Sequence, residues 1–342
     1  MIKVELKNVS KILREHYEIL TVKKGRSDSL LDLLDKKISF YAAIPDLAKM
    51  YADLKNHVIK INQFSILTAT PAELQAFRDR FENDHHKILD TVHTPAKIVK
   101  GKKDGKDKTY RDDLLNVFYY GSYHKWRAYE LAHKISINVC PYCNRNYTLV
   151  IGSDANKGTR FEFDHFFDKA RYPYLALSFY NLVPSCHVCN SNLKGSKKFN
   201  LEDNIHPYIE GFSDNVVFSL TPRNINFING KSSAYRINFR KHPLNQFNNK
   251  KVGAAFNNIK TFKLAQLYNI HKDYVNEIIQ KSVIYNDDYI KDLFSKYSGT
   301  LFSSEDDVRR MVLGNYIQES DFSKRPLSKL TRDIAMELKI FK

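Results

Sequence analysis

A chain of 342 residues, 43% hydrophobic and 27% charged, has the mix of a folded protein rather than a disordered one, with room for two domains or one core with large additions. No apolar run of about 18 residues occurs, and the N-terminal stretch lacks the apolar core and small-residue cleavage site of a signal peptide, so the expectation is a cytoplasmic protein without membrane association. Lysine and arginine number 54 against 38 aspartate and glutamate, a net charge of +16 that favours a polyanionic partner through phosphate contacts and counterion release.

Residues 1 to about 92 read as helical. Thr70-Pro71-Ala72-Glu73 is a helix start, with Thr70 as N-cap, proline in the first turn and Glu73 completing a capping box. Leu74, Phe77, Phe81 and Ile88 then share one helical face, which makes them core. The His85-His86 pair on that helix has ordinary polar neighbours and reads as structural. The segment from Lys97 to Arg111 carries Lys97, Lys100, Lys102, Lys103, Lys106, Lys108 and Arg111 with little to bury. It is either a solvated mobile loop or a flexible nucleic-acid contact. Helical pattern resumes from Tyr110 to about Ile135 and contains Trp126. Beyond residue 200, Val216–Leu220, Ile225–Ile228 and Tyr235–Phe239 are β-prone, and Asn229-Gly230-Lys231 is the expected turn between the last two. Helices return from Lys250, with Val275, Ile278, Ile279 and Val283 on an apolar face. Ser303 or Ser304 caps a further helix reaching about Ile317.

The centre is compositionally distinct. The chain's four cysteines form two C-x-x-C pairs, Cys140-Pro-Tyr-Cys143 and Cys186-His-Val-Cys189. Two residues between thiolates let both sulfurs face one tetrahedral ion, and two such turns close a structural zinc shell, one Zn²⁺ per chain. A redox Cys-Pro-Tyr-Cys motif does not call for a second pair, and four inert buried thiols do not call for this spacing. A four-thiolate shell leaves the zinc no chemistry of its own, and His187, inside the second pair, is a spacer. Between the pairs, Arg160–Phe167 alternates like a strand ending on Asp164-His165. Asn181-Leu-Val-Pro-Ser leads into Cys186, and Asn190–Gly195 looks like the first turns of a helix.

That order (C-x-x-C, Asp-His, Asn-Leu, C-x-x-C followed by Asn, then Lys) resembles the HNH nuclease family, whose ββα-metal core often sits in a zinc-knuckle frame. The likeness covers about 60 residues, with Asn190 standing where many members have histidine. It implies hydrolysis of phosphodiester bonds in DNA, with RNA as the alternative substrate, leaving 5′-phosphate and 3′-hydroxyl ends. His165 would be the general base, having an ordinary pKa near 6.5. Asp164 and the Asn190 amide oxygen suit Mg²⁺ or another hard divalent ion. Successive strand residues face opposite ways, so Asp164 and His165 need a strand end or twist to serve one site. Asn181 positions the loop that fixes His165. Lys194 and Arg171 are candidates for phosphate contact, with Lys100, Lys102, Lys103 and Lys106 as further nucleic-acid candidates. His206 has no assigned role.

The longer wording Phe163-Asp-His-Phe-Phe-Asp-Lys-Ala-Arg-Tyr-Pro-Tyr174, with Asn204-Ile-His-Pro-Tyr208 downstream, is similar to HNH proteins of Septu-type antiphage systems. It implies a defence effector controlled by an ABC-type or AAA ATPase encoded alongside. A free-standing restriction-type nuclease and a catalytically inert nucleic-acid-binding zinc protein are the alternatives. The expected architecture is α+β: a helical N-terminal region over 1–136, a zinc-framed ββα-metal, treble-clef-like core over 137–210, and a β-hairpin followed by helices over 211–342.

Overall fold

Capping chemistry sets the helix starts. In a computed structural model, which describes residues 1–23, 28–59, 64–95, 97–99, 102–118, 127–227, 230–244 and 246–340, Thr70 and Glu73 form the expected capping box at the head of a helix over Pro71–Leu89. With Val9–Thr21 (α1), Leu30–Phe40 (α2) and Pro45–Val58 (α3), that helix (α4) makes the N-terminal region. A Ser29–Asp32 capping box starts α2, and Pro45 opens α3. Leu74, Phe77 and Phe81 are buried, as the spacing requires. A buried carboxylate ties the layer together: Asp113 accepts from Tyr41 (2.9 Å), Tyr51 (2.7 Å) and Lys37. Buried charge survives only when paired in this way.

The basic segment departs from expectation. It contains two successive antiparallel ladders: Val92–Thr94 (β1) with Lys108–Thr109 (β4), and Lys97–Val99 (β2) with Lys102–Asp104 (β3). The lysines obscure the β signal of Ile98 and Val99, and the backbone register sets Lys97 opposite Asp104. Lys100 and Trp126 lie outside the described residues; Lys106 is exposed. Arg111 at the ribbon's root is committed elsewhere. Its guanidinium forks onto Glu82 (2.8 and 2.7 Å) and reaches Asp90 (2.6 Å), pinning Tyr110–Val117 (α5) to α4. Helix returns at Ala128–Ile135 (α6).

Downstream, the hairpin joins Val216–Pro222 (β7) to Tyr235–Lys241 (β8), with Leu220 opposite Ile237. Ile225–Phe227, expected as a strand, is a 3-10 turn within the connection, and Asn229 of the expected turn lies outside the described residues. The helices Asn249–Thr261 (α7), Leu264–Tyr268 (α8), Lys272–Ile284 (α9), Asp287–Tyr297 (α10), Glu305–Leu313 (α11) and Ser328–Glu337 (α12) complete the chain. Val275, Ile278 and Ile279 are buried, but Val283 is 65% exposed, one turn beyond the packed face. Ser304 caps α11, which stops at Leu313 rather than Ile317 because Gly314 takes the left-handed conformation (φ 70°). Carboxylates of α12 cover an edge of β7: Phe218 N donates to Asp333 (2.9 Å) and Leu220 N to Glu337 (2.8 Å). One buried apolar cluster runs from Met1 to Ile340, and a small second one, Ile290, Phe302, Val308 and Val312, fills the space between α10 and α11. Among the described residues, no helix is long and apolar enough to cross a membrane.

Candidate metal centre and the polar site beside it

The four cysteines converge. Their sulfurs lie within 4.8 Å of one another, with no disulfide among them, and Cys143 Sγ sits 4.0 Å from Cys186 Sγ. A tetrahedral ion with metal–sulfur bonds of about 2.3 Å needs sulfurs roughly 3.8 Å apart, so the cluster fits one ion such as zinc. The backbone builds each turn: Asn144 N donates to Cys140 O (2.7 Å), Cys140 N to Asn146 O (3.0 Å), and Asn190 N to Cys186 O (3.0 Å). Asn144 holds a left-handed φ of 47°, and its side chain binds Phe322 O and Lys329 N. The first knuckle thereby anchors α12.

Between the pairs, Glu162–His165 (β5) and Leu182–Ser185 (β6) form an antiparallel ladder with Asp164 opposite Val183 and His165 opposite Leu182. A π-helix over Val188–Lys194 follows. The residues from 166 to 181 connect the strands and are braced by Asn181, which is fully buried. Its Oδ1 accepts from Phe167 N (2.6 Å), and its Nδ2 donates to Phe167 O (3.1 Å) and Leu175 O (2.9 Å). The next carbonyl, Ala176 O, lies 3.1 Å from His165 Nε2. A carbonyl only accepts, so Nε2 carries the proton and Nδ1 is the basic nitrogen. Burial, and then the positive charges of Lys169 and Lys194, push the imidazole down to about 3. His165 is 7% exposed.

Asp164 faces the other way and is closed in. It is 2% exposed; Tyr142 donates to Oδ2 (2.6 Å) and Lys194 to Oδ1 (2.9 Å). Lys194 also donates to His165 O (2.6 Å) and is itself buried. It therefore does not reach outward to a phosphate as the sequence led one to expect, because its ammonium neutralises an interior carboxylate. Asn190 does not join Asp164 by any hydrogen bond among the described residues. Its Nδ2 donates to Glu162 Oε2 (2.8 Å), which also accepts from Ser191 (3.1 Å), while His187 Nδ1 meets Glu162 Oε1 at 2.7 Å. As arranged, Asp164 and Asn190 do not fit a shared Mg²⁺: the carboxylate's oxygens are occupied and shielded from solvent. Arg171 is exposed, 3.7 Å from Asp168, and its carbonyl takes a bond from Arg111.

Glu162 and Tyr142 join the site through contacts that no sequence motif announces. Glu162 lies two residues before Asp164, a spacing that places both on one strand face. His206 is buried with its ring 4.2 Å from Phe166, and burial lowers its pKa to about 3. His85 Nε2 donates to Asp53 Oδ2 at 3.2 Å, between α4 and α3. No protein-family profile, curated protein or solved structure matches the chain.

Proposed function

We propose that the chain is a divalent-cation-dependent endonuclease of the HNH type that hydrolyses phosphodiester bonds, with DNA as substrate. The observation that carries the reading is the geometry of His165. It stands at the end of a strand in a β-hairpin whose second strand runs into Cys186 and the helical segment after it. Its tautomer is fixed by Ala176 O, and its imidazole is neutral at cellular pH. A neutral imidazole with a fixed Nδ1 can take the proton of an attacking water, and Asn181 supports it by bracing the loop that presents Ala176 O. The Asp164–Lys194 pair holds the carbonyl of His165 from the opposite face. A bound divalent cation would neutralise charge building on the phosphate. One zinc per chain, closed by Cys140, Cys143, Cys186 and Cys189, holds the frame and takes no part in the chemistry. The net charge of +16, the basic ribbon and exposed Arg171 supply the attraction for a polyanion.

The antiphage role and a controlling ABC-type or AAA ATPase rest on the longer sequence likeness alone. The closure of Asp164 favours a second reading, a zinc-framed nucleic-acid-binding protein without activity. The two part on product chemistry. With Mg²⁺, the endonuclease yields DNA fragments that a ligase reseals without prior phosphorylation, since they carry 5′-phosphates and 3′-hydroxyls. Binding without cleavage, across duplex DNA, single-stranded DNA and RNA and with any neighbouring-gene ATPase added, selects the inert reading.

A further inference from the structure

Four polar side chains meet at the open end of β5 outside the Asp164–Lys194 pair. Glu162 accepts from His187 through Oε1 and from Asn190 and Ser191 through Oε2. Unlike Asp164 on the same strand face, Glu162 is only half-buried, and His187 is 66% exposed in its side chain. Burial raises the Glu162 carboxyl, but the hydrogen bonds from His187, Asn190 and Ser191 outweigh it and hold the group below its usual range. Its side chain keeps 38% of its surface open to solvent. Asn190 spends its amide nitrogen on Glu162, and no described hydrogen bond uses its Oδ1. Carboxylate and amide oxygens suit Mg²⁺ and Mn²⁺, and an added imidazole suits the more nitrogen-tolerant Mn²⁺.

We propose that Glu162, together with the Asn190 amide oxygen and His187, binds a divalent cation, Glu162 taking the ligand role that the HNH likeness gives to Asp164. The cation's use in cleavage rests on the nuclease reading; its binding does not. Asp164 is then a buried structural group. Its carboxylate, together with Lys194 and Tyr142, sets the spacing between β5, the π-helix and the first zinc knuckle, and Glu162 projects from the frame thus fixed.

The test measures Mn²⁺ binding to the full-length, zinc-loaded chain by the loss of the free-ion electron paramagnetic resonance signal, without nucleic acid. Wild type binds about one Mn²⁺ beyond its zinc. Glu162→Gln, which keeps the side chain's size, weakens that binding about tenfold or more, and His187→Ala weakens it less. Asp164→Asn combined with Lys194→Met, which removes both buried charges together, leaves it within about twofold in protein whose zinc content matches wild type. The proposal is overturned if Glu162→Gln binds Mn²⁺ as wild type does, or if wild type binds none. Should Mn²⁺ bind and depend on Glu162 while no nucleic acid is cut, the cation site stands and the nuclease reading falls.

Discussion

Replacing Lys194 by Met removes the ammonium but keeps the apolar stem. In the folded protein that ammonium donates to Asp164 Oδ1 at 2.9 Å and to His165 O at 2.6 Å, with both side chains of the pair almost fully buried. Its loss leaves an interior carboxylate with Tyr142 as its remaining hydrogen-bond donor among the described residues, and takes the ammonium away from His165 O. Breaking one side of a buried pair costs about 3–5 kcal/mol, far more than loss of an exposed pair. At a urea dependence of about 3 kcal/mol per molar, the unfolding midpoint of zinc-loaded Lys194→Met should fall by roughly 1–1.7 M, followed by far-ultraviolet circular dichroism. Asp164→Asn combined with Lys194→Met removes both charges and should recover about 2 kcal/mol or more of that loss. A single-variant shift below about 0.3 M, or no recovery in the double variant, would refute the assignment of Lys194 to an interior charge pair and return it to the surface as a phosphate contact.

Three other outcomes follow from the same structure. Cys140→Ser and Cys186→Ser should lose the single zinc found by metal analysis of wild type, and with it about 10 kcal/mol of local folding free energy; a well-folded, metal-free wild type contradicts this. His16, His165 and His206 are held by burial at about 4, 3 and 3, below the unfolded value near 6.5, so the unfolded chain binds more protons between those limits. Stability is therefore full above pH 6.5 and falls as the medium is acidified, by up to about 1.4 kcal/mol per pH unit for each histidine; His206→Gln should flatten the slope measured by urea titration at pH 6.5 and 4.5. Replacing Lys97, Lys102, Lys103 and Lys106 by Gln should reduce the salt dependence of duplex binding by about 0.9 in log–log slope per lost phosphate contact, and an unchanged slope removes the ribbon from the interface.

The parts of the site legible in the sequence are those where local chemistry dictates geometry. C-x-x-C spacing closes a sulfur cage whatever surrounds it, Thr70-Pro71 and Glu73 start a helix by satisfying its own amides, and alternation from Arg160 marked the strand that ends at His165. What stayed hidden depended on partners distant in sequence. Lysine after a polar helix start reads as an outward cation, and only the fold brings Asp164 beneath Lys194. Glu162 looked like an ordinary polar strand residue until the π-helix delivered His187, Asn190 and Ser191 to it. Composition marks the basic segment as polar and charged, but cross-strand register, absent from composition, makes it a ribbon. Ile225–Phe227 has β-branched and aromatic character, yet β7 had already taken the place beside β8.

The proposed role of His165 as general base of a phosphodiester hydrolase is tested by the single-turnover cleavage rate of DNA by wild type and His165→Ala. Both proteins should be zinc-loaded, supplied with Mg²⁺ and any gating partner, and compared at equal DNA occupancy. His165→Ala should bind DNA and Mn²⁺ as wild type does while its cleavage rate falls by about 10² to 10⁴, the usual contribution of a positioned acid–base group. A folded, zinc-loaded His165→Ala protein that cuts as fast as wild type would contradict it.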